Sequence, residues 1–301
     1  MMIQVLAPAK VNLGLEVIRK RDDGFHDIAT VFQSISVFDH MRLTAAPADR
    51  IDAINRFEHI EANLLSRALS LARERGITNR CWQIELEKRI PIAAGLGGAS
   101  ADAAGTVLAL SEFEGFHDRD ALSSIALQLG SDVPFLLQGG AALAHGRGEQ
   151  LEPLPSLKAS WLVLASPVVE IERKTAQLYG ALRPGDFSDG SRVERVAASL
   201  RAHRVPDATD LFNTFRQPLA ERFLEVAPLH RAFQHAGAPF AALSGAGPTH
   251  YTIVSELDSA LRIARQLAQE RPMPMRILVA RPTAAGPLTR VSKTTKPHGT
   301  L

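Results

Sequence analysis

The sequence predicts an α+β protein of two domains. Strand-like and helix-like segments follow one another along a chain of 301 residues, which is long enough for two domains of moderate size. The turn-rich segment PLPSLK separates the two halves. We therefore expect an N-terminal domain over 1–153 and a C-terminal domain over 158–282. The polar, basic and aperiodic residues 283–301 predict a flexible tail.

The N-terminal half alternates strands and helices. Residues 3–7 and 11–18 are β-rich and predict two strands separated by Pro-Ala-Lys, and IATVFQSISVFDH predicts another strand by its alternation. NLLSRALSLARERG carries its leucines and alanines on one helical face and predicts a helix that ends at Gly76. CWQIELEK predicts a half-buried strand. ASADAAGTVLAL and DRDALSSIALQLG predict two helices, and AALAH predicts a short strand.

The C-terminal half has the order typical of a ferredoxin-like sandwich. It opens with the strand WLVLAS and continues through several helical stretches. The strands FAALS and HYTIV then flank the loop GAGPT, and the helix LDSALRIARQLAQER and the strand MRILVAR close the half. Two strands around a glycine loop, followed by a helix and a strand, predict a ferredoxin-like α/β sandwich.

Composition excludes several classes of protein. The 34 Lys and Arg are interleaved with 32 Asp and Glu for a net charge of +2, which argues against a nucleic-acid binder. The single cysteine, Cys81, excludes an internal disulfide framework and metal sites built from cysteines. No apolar run approaches the ~18 residues of a membrane span, and the N-terminus does not have the pattern of a signal peptide. We expect a cytoplasmic protein without a nucleic-acid or membrane partner.

The stretch IPIAAGLGGASADAAG predicts a phosphate-binding loop. It lacks the Lys-Ser/Thr pair of a Walker loop and is a poor dinucleotide fingerprint. Gly95, Gly97 and Gly98 can adopt positive φ, and the amides from Gly97 to Ala101 would converge at a helix N-terminus, where an anion is favoured. A tight strand–helix turn without a ligand is the alternative interpretation of the same residues.

Two charged side chains elsewhere in the sequence also stand out. Asp132, in LGSDVPFLL, is either a functional carboxylate beside apolar residues or a helix N-cap, and an isolated Asp favours the cap. Lys10 lies between two β-rich runs, with Asn12 on the same face of an extended chain. It is either a cation in a pocket or a charge that protects a sheet edge, and alone the second interpretation is favoured.

Two shorter motifs have a structural and a functional interpretation. LSGAGPTHY places Gly245 and Gly247 between two strands, where they form either a plain hairpin or part of a site. RDDGFHDI presents Phe25 beside His26 after a turn, and a histidine of this kind is usually structural.

PAKVNLGL, PIAAGLGGASADAA and SGAGPT, in this order, resemble the three motifs of the GHMP kinase superfamily. The resemblance implies an N-terminal ribosomal-S5-domain-2-like domain and a C-terminal ferredoxin-like domain, with ATP as co-substrate and Mg²⁺ as metal. It implies that Asp132 is the base on the acceptor hydroxyl and that Lys10 pairs with Asp132 and with the phosphate in transfer. The ATP-binding residues it implies, with Asn63 and Lys88 at the adenine, are Asn63, Lys88, Pro91, Gly95, Leu96, Gly97, Gly98, Ala99, Ser100 and Ala101.

Within this superfamily, RDDGFHDIATVFQSI, LGSDVPFLL and GRGE resemble the members whose acceptor is a cytidine diphosphate-linked methylerythritol. Those members phosphorylate its 2-hydroxyl in non-mevalonate isoprenoid precursor biosynthesis. The resemblance implies that Phe25 and His26 hold the cytosine and that the ring of Tyr179 covers its other face. The implied substrate-binding residues are Asn12, Phe25, His26, Thr175, Tyr179, Gly245 and Gly247. No side chain is assigned to the metal, and the expected assembly is a monomer or a homodimer.

The sequence departs from the resemblance at five positions, which leaves alternatives open. Phe25 replaces Tyr, Ala99 replaces Gly, Ala101 replaces Ser, and Thr214 and Arg216 stand where Asp and Glu are usual. None of these departures removes the Lys–Asp pair. The alternatives are another kinase of the superfamily, such as a homoserine or mevalonate kinase, and a nucleotide-binding homologue with weak catalysis.

Overall fold

The computed structural model describes residues 2–54, 62–158 and 160–292, which form two β-sheets with helices packed on them. The strands in these ranges are β1 Met2–Lys20, β2 His26–Ala46, β3 Arg50–Ala53, β4 Cys81–Glu87, β5 Ala141–His145, β6 Gln150–Leu154, β7 Trp161–Pro167, β8 Ala242–Leu243, β9 His250–Val254, β10 Met275–Ala280 and β11 Leu288–Ser292. The α-helices are α1 Ala62–Glu74, α2 Gly98–Glu114, α3 Arg119–Leu129, α4 Val133–Gln138, α5 Lys174–Ala181, α6 Ser191–Arg201, α7 Arg216–Arg222, α8 Pro228–His235 and α9 Leu257–Glu270. Short 3₁₀ helices span Pro184–Asp186 and Leu224–Val226.

The larger sheet is organised around two long antiparallel strands. Its order is β11-β1-β2-β4-β3, and β2 also pairs with β5, which in turn pairs with β6. The two ends of β2 have different partners on the same side, since residues 30–33 pair with β5 and residues 40–46 pair with β4. Between these two parts, Ser34 and Ser36 hydrogen-bond on the same side to residues 281–283, which follow β10.

The structure corrects the expectation of two strands at the N-terminus. Pro-Ala-Lys does not interrupt the chain, because β1 is continuous and the register with β2 shifts between Pro8 and Ala9. A proline cannot donate to a β-ladder, and an irregularity accommodates it. Lys10 therefore lies in the middle of a strand and not in a connection.

β1 is buried on both faces over most of its length, which explains its continuous run of buried residues from Ala7 to Val17. On one face α2 packs closely, since a Cβ at Gly105 would lie 2.9 Å from both Met41 and Val5. On the other face the apolar residues of α6 join the same core. The centre of β1 is thus shielded from water on both sides.

The smaller sheet confirms the predicted ferredoxin-like half. Its order is β10-β7-β9-β8, and each neighbouring pair is antiparallel. Along the chain its strands and helices follow the order strand, helices, strand, strand, helix, strand. β8 has only two residues, so FAALS is shorter as a strand than its sequence predicts. No helix in the described ranges is both long and apolar enough to cross a membrane.

The prediction of a tail over 283–301 is wrong for its first part. Residues 288–292 form β11, which pairs with the start of β1 from Met2↔Ser292 to Leu6↔Leu288. The chain therefore returns from the smaller sheet to the edge of the larger one, and residues 293–301 lie outside the described ranges. β3 and β6 were not predicted from the sequence. The boundary near 153–158 falls between β6 and β7 and stays a prediction.

Candidate active site

Lys10 of β1 and Asp132, directly before α4, come together across the fold. The ammonium of Lys10 lies 3.3 Å from a carboxylate oxygen of Asp132, and Lys10 is only 4% exposed whereas Asp132 is 33% exposed. Asp132 occupies the position before α4, yet its side chain makes no capping hydrogen bond. The local interpretation of Asp132 as a helix cap is therefore wrong, and its carboxylate is oriented toward the lysine.

The ammonium of Lys10 is held in place by its surroundings. It donates to Oδ1 of Asn12 at 2.8 Å and lies 5.3 Å from the ring centroid of Phe32. Asn12 is itself held in position. Its side-chain amide donates to the hydroxyl of Thr30 at 2.8 Å, and its backbone carbonyl accepts from the hydroxyl of Tyr251. This network orients the side chain of Lys10 toward Asp132 before any ligand binds.

The glycine loop adopts the predicted positive φ at Gly95 and Gly97 but not at Gly98, which is helical. Gly95 and Gly97 have φ of 81° and 73°, and α2 begins at Gly98. A Cβ at Gly97 would lie 3.1 Å from Lys10, and one at Gly98 would lie 3.1 Å from the ammonium of Lys88. The absence of side chains lets the backbone at the N-terminus of α2 approach both lysines, so that the unpaired amides of the helix lie close to two ammonium groups.

The first turn of α2 limits which loop residues can bind an anion. The amide of Ala101 donates to the carbonyl of Gly97 at 2.8 Å and Ala101 is fully buried, so the expectation that its amide faces a phosphate is wrong. Leu96 is also buried, and its carbonyl accepts from the amide of Lys10. The backbone amides without an intrahelical partner belong to Gly98, Ala99 and Ser100.

The loop around Gly245 and Gly247 packs directly on the phosphate loop. The hydroxyl of Ser244 donates to the carbonyl of Gly95 at 2.9 Å, and a Cβ at Gly245 would lie 3.4 Å from the ammonium of Lys10. Asn213 holds this loop from the other side, because its amide donates to the carbonyls of Leu243 and Gly245, each at 2.9 Å. The plain-hairpin interpretation of SGAGPT is therefore insufficient.

Lys88 belongs to a buried charge cluster beneath the phosphate loop. Its ammonium lies 2.7 Å from Asp102 and also pairs with Asp39, whose other oxygen accepts from the amides of Arg89 and Ile90. Burial raises the pKa of Asp102 well above its ordinary range, against the opposing effect of Lys88.

Most of the predicted ATP-binding residues line a small cavity of about 210 Å³ over the loop. Leu96 and Ala101 are not among its lining residues, and the side chain of Asn63 lies outside the described part of the chain. The predicted residues that line the cavity are Lys88, Pro91, Gly95, Gly97, Gly98, Ala99 and Ser100.

A larger cavity of about 1020 Å³ lies on the other side of the loop, and Lys10 and Asp132 line it. Gly95 and Gly97 line both cavities, so the two spaces meet at the glycine loop. All the predicted substrate-binding residues line the larger cavity, namely Asn12, Phe25, His26, Thr175, Tyr179, Gly245 and Gly247.

Aromatic side chains line the end of the larger cavity away from the loop. His26 stacks on Tyr179 at a centroid distance of 4.7 Å, and Tyr179 meets the edge of Phe215 at 4.8 Å. Burial and the charge of Asp132 raise the pKa of Tyr179 to about 12, and burial and Lys20 lower the pKa of His26. Phe25 lies apart from this stack, half exposed, with the guanidinium of Arg147 3.8 Å from its ring centroid.

Sequence reasoning missed Lys174, the first residue of α5. Its side chain is buried and its ammonium lines the larger cavity between the two glycine loops. The motif KTAQLYGAL drew attention to Thr175 and Tyr179 only. The residues around it carry no signal for this role, because the burial that makes a lysine unusual is set by distant segments of the chain.

The chain matches the family described as GHMP kinases N terminal domain over residues 63–140 and that described as GHMP kinases C terminal over residues 187–272. A 4-diphosphocytidyl-2-C-methyl-D-erythritol kinase from Pelotomaculum thermopropionicum is 39% identical over 290 residues, 93% of this chain and 98% of that protein. One from Dehalococcoides mccartyi is 36% identical over 271 residues, 89% of this chain and 95% of that protein. The crystal structure of a 4-(cytidine 5'-diphospho)-2C-methyl-D-erythritol kinase has a TM-score of 0.75 at 32% identity, covering 92% of this chain and 98% of that chain. The chain belongs to the GHMP kinase family.

The family assignment confirms the predicted fold class and the prediction of a phosphotransferase that uses ATP. A homoserine kinase from Cytophaga hutchinsonii shares the fold of this GHMP kinase with a TM-score of 0.67, but at 19% identity it informs on the fold alone. The roles of the individual site residues stay predictions, and they are taken up below.

Proposed function

We propose that this GHMP kinase transfers the γ-phosphoryl group of ATP to the 2-hydroxyl of 4-diphosphocytidyl-2-C-methyl-D-erythritol. The observation that carries the proposal is the meeting of two cavities at one glycine loop, with the Lys10–Asp132 pair on the side of the larger one. Curated relatives at 36–39% identity over most of the chain carry the name of this activity and support it.

Asp132 would act as the base. Its carboxylate is partly exposed to the larger cavity and makes no capping bond, so it is available to accept the proton of the acceptor hydroxyl. The hydroxyl oxygen would form a bond to the γ-phosphorus while the bond between that phosphorus and the β–γ bridging oxygen breaks, and ADP leaves. Transfer of this kind depends mainly on positioning and charge stabilisation.

Lys10 would stabilise the negative charge on the group in transfer. It is a buried cation held by Asn12 and Asp132, so little reorganisation is needed when charge develops next to it. The free amides at the start of α2 would bind the phosphates of ATP, since a helix N-terminus favours an anion. Ala99 leaves the backbone amides in place, so the departures in the loop are compatible with this role.

Mg²⁺ fits the loop only in part. Within 2–54, 62–158 and 160–292, no three His, Cys, Asp or Glu side chains are grouped to hold a metal ion. Mg²⁺ in kinases is usually held by one or two protein oxygens and by the phosphates. Asp102 offers such an oxygen, because its Oδ1 is buried without a hydrogen-bond partner among the described residues, and Ser100 lines the same cavity. Bound there with ATP, the ion would neutralise charge on the β- and γ-phosphates.

The aromatic end of the larger cavity supports an acceptor that carries a flat base. Tyr179 and His26 offer stacked rings, and the exposed ring of Phe25 lies beside Arg147. The base of the acceptor would stack at this end of the cavity, because aromatic rings favour aromatic ligands. Homoserine and mevalonate have no ring to use these contacts.

A coupled assay of ADP release tests the proposal. We expect turnover with 4-diphosphocytidyl-2-C-methyl-D-erythritol and none above background with homoserine or mevalonate. Turnover with either of the latter alone would assign another acceptor, and nucleotide binding without turnover on any acceptor would refute the assignment as an active kinase. ATP and such an acceptor are metabolites of the cytoplasm, where we propose that the chain acts, as a monomer or homodimer.

A further inference from the structure

Lys174 connects the two glycine loops of the site. Its ammonium donates to the carbonyl oxygen of Ala93 at 2.5 Å and also to the carbonyl oxygen of Gly247. Ala93 lies at the start of the phosphate loop with φ of 52°, and Gly247 is the last glycine of the other loop with φ of 69°. One side chain at the start of α5 thus bridges the segments from which the walls of both cavities are built.

Among the described residues, none supplies a counter-charge to the ammonium of Lys174. The side chain is 7% exposed, and among the described residues no carboxylate forms an ion pair with it. Burial and the nearby charge of Lys10 lower the pKa of Lys174 to about 8. A buried cation that binds only neutral carbonyls is unfavourable, and an anion next to it would relieve this cost.

The cavity offers the place for such an anion. Lys174 and Lys10 line the same cavity, and its walls between them are glycine backbone at Gly95, Gly245 and Gly247. Phosphates are bound in proteins by this combination of ammonium groups and side-chain-free backbone. We propose that Lys174 binds a phosphate group in the larger cavity, a role that rests on the proposed kinase function and adds a second cation to Lys10.

The position of Lys174 on α5 favours the diphosphate of the acceptor over the phosphates of ATP. The same helix presents Thr175 and Tyr179 to the aromatic end of the cavity. A ligand that stacks its base on Tyr179 and places its reacting hydroxyl near Lys10 and Asp132 has its diphosphate between these two ends. Lys174 lines this middle section, so a single helix would contact both the base and the diphosphate.

Calorimetric binding of cytidine diphosphate, cytidine and the non-hydrolysable ATP analogue adenylyl imidodiphosphate tests the proposal without turnover. In Lys174→Met we expect the affinity for cytidine diphosphate to fall about 10- to 100-fold, the range for a charge-assisted hydrogen bond, and that for cytidine to stay within about twofold. A loss confined to the ATP analogue would support the phosphate site and assign it to the nucleotide. Unchanged affinity for both phosphorylated ligands would overturn the proposal.

Two further variants distinguish binding of an anion by Lys174 from a purely structural role, in which its hydrogen bonds only hold the two glycine loops together. The amide of Lys174→Gln can still donate to the carbonyls of Ala93 and Gly247 but has no charge, whereas Lys174→Arg keeps the charge. We expect Lys174→Arg to retain part of the affinity for cytidine diphosphate and Lys174→Gln to lose it. Wild-type affinity in Lys174→Gln would overturn the proposal.

Thermal unfolding verifies that each variant is folded. Lys158→Met controls for net charge, because Lys158 is exposed and lies outside both cavities. Wild-type protein that binds neither cytidine nor its diphosphate would contradict the proposed acceptor, and the ATP analogue would still test Lys174.

Discussion

Replacement of Gly95 by Ala is the sharpest single test of the site geometry. An added Cβ would lie 2.2 Å from the carbonyl oxygen of Ser244 and 3.0 Å from the amide nitrogen and the carbonyl oxygen of Gly247. These are backbone atoms, so no side chain can turn away to make room. The phosphate loop and the loop at Ser244 would have to separate by about 1 Å to restore ordinary contact distances.

Two costs follow from this geometry. The first is backbone strain, since φ at Gly95 is 81° and a left-handed conformation costs a residue with a Cβ about 1–2 kcal/mol. The second is the displacement of the loop relative to Lys10, and a misplacement of about 1 Å can reduce the rate of a positioned reaction by about 10²-fold. We therefore expect Gly95→Ala to lower the free energy of unfolding modestly. We expect the same variant to reduce kcat/KM by about 10²-fold.

Gly76→Ala is the matched control. Gly76 has φ of 71° at the end of α1, and nothing lies within 4 Å of the position that a Cβ would take. It has the same backbone cost without the clash, so we expect about 1–2 kcal/mol of destabilisation and unchanged kcat/KM. Urea unfolding and steady-state kinetics on both variants make the comparison. If Gly95→Ala retains the kcat/KM of Gly76→Ala, the loops are not packed as described and the reasoning is refuted.

The remaining predictions concern charged side chains. Asp132→Asn and Lys10→Met should each lower kcat by a factor on the order of 10²–10⁴ with unchanged thermal unfolding, and near-normal kcat in either would contradict their roles. Asp39→Ala should cost about 3–5 kcal/mol in urea unfolding, because it removes a buried partner of Lys88, and a loss below 1 kcal/mol would show that the cluster adapts. Lys174 has a pKa of about 8 when folded and 10.5 as its ordinary value, so between these pH values the unfolded chain binds more protons and the unfolding free energy rises with pH. This rise in the unfolding free energy, about 3 kcal/mol, should be missing from Lys174→Met. If the unfolding free energies of wild type and variant depend on pH in the same way, the lowered pKa of Lys174 is contradicted.

The fold was predictable where local patterns determine it. Alternation in CWQIELEK and the apolar face of NLLSRALSLARERG correctly predicted β4 and α1, because each buries one face against one neighbour. The continuity of β1 was not predictable, since a proline in a strand is tolerated only through a shift of register with the partner strand. β11 was missed for a similar reason, because LTRVS is short and half exposed and becomes a strand only by pairing with the edge of β1.

The site was predictable as a set of motifs but not as a geometry. The glycine loop could be recognised from its own residues, because strand, glycines and helix follow one another along the chain. The role of Asp132 could not, since its position before a helix favours a cap and only the contact with a distant strand shows otherwise. Lys174 was beyond local reasoning altogether, because the carbonyls that it binds belong to segments far from it in sequence.

Lys10, Lys88 and Lys174, which are buried around the glycine loops, differ in how far neighbouring carboxylates already balance their charge. This difference determines which of them is suited to bind a phosphate. Lys88 pairs with two buried aspartates, so its charge mainly stabilises the base of the loop. Lys10 pairs with one aspartate, Asp132, which is itself partly exposed. A phosphate near Asp132 can therefore also interact with the ammonium of Lys10. Within the described part of the chain, the partners of Lys174 are backbone carbonyls alone. Because an anion gains most next to the cation with the least compensation, Lys10 and Lys174 are suited to bind phosphate between the glycine loops, and Lys88 is suited to support the phosphate loop from below.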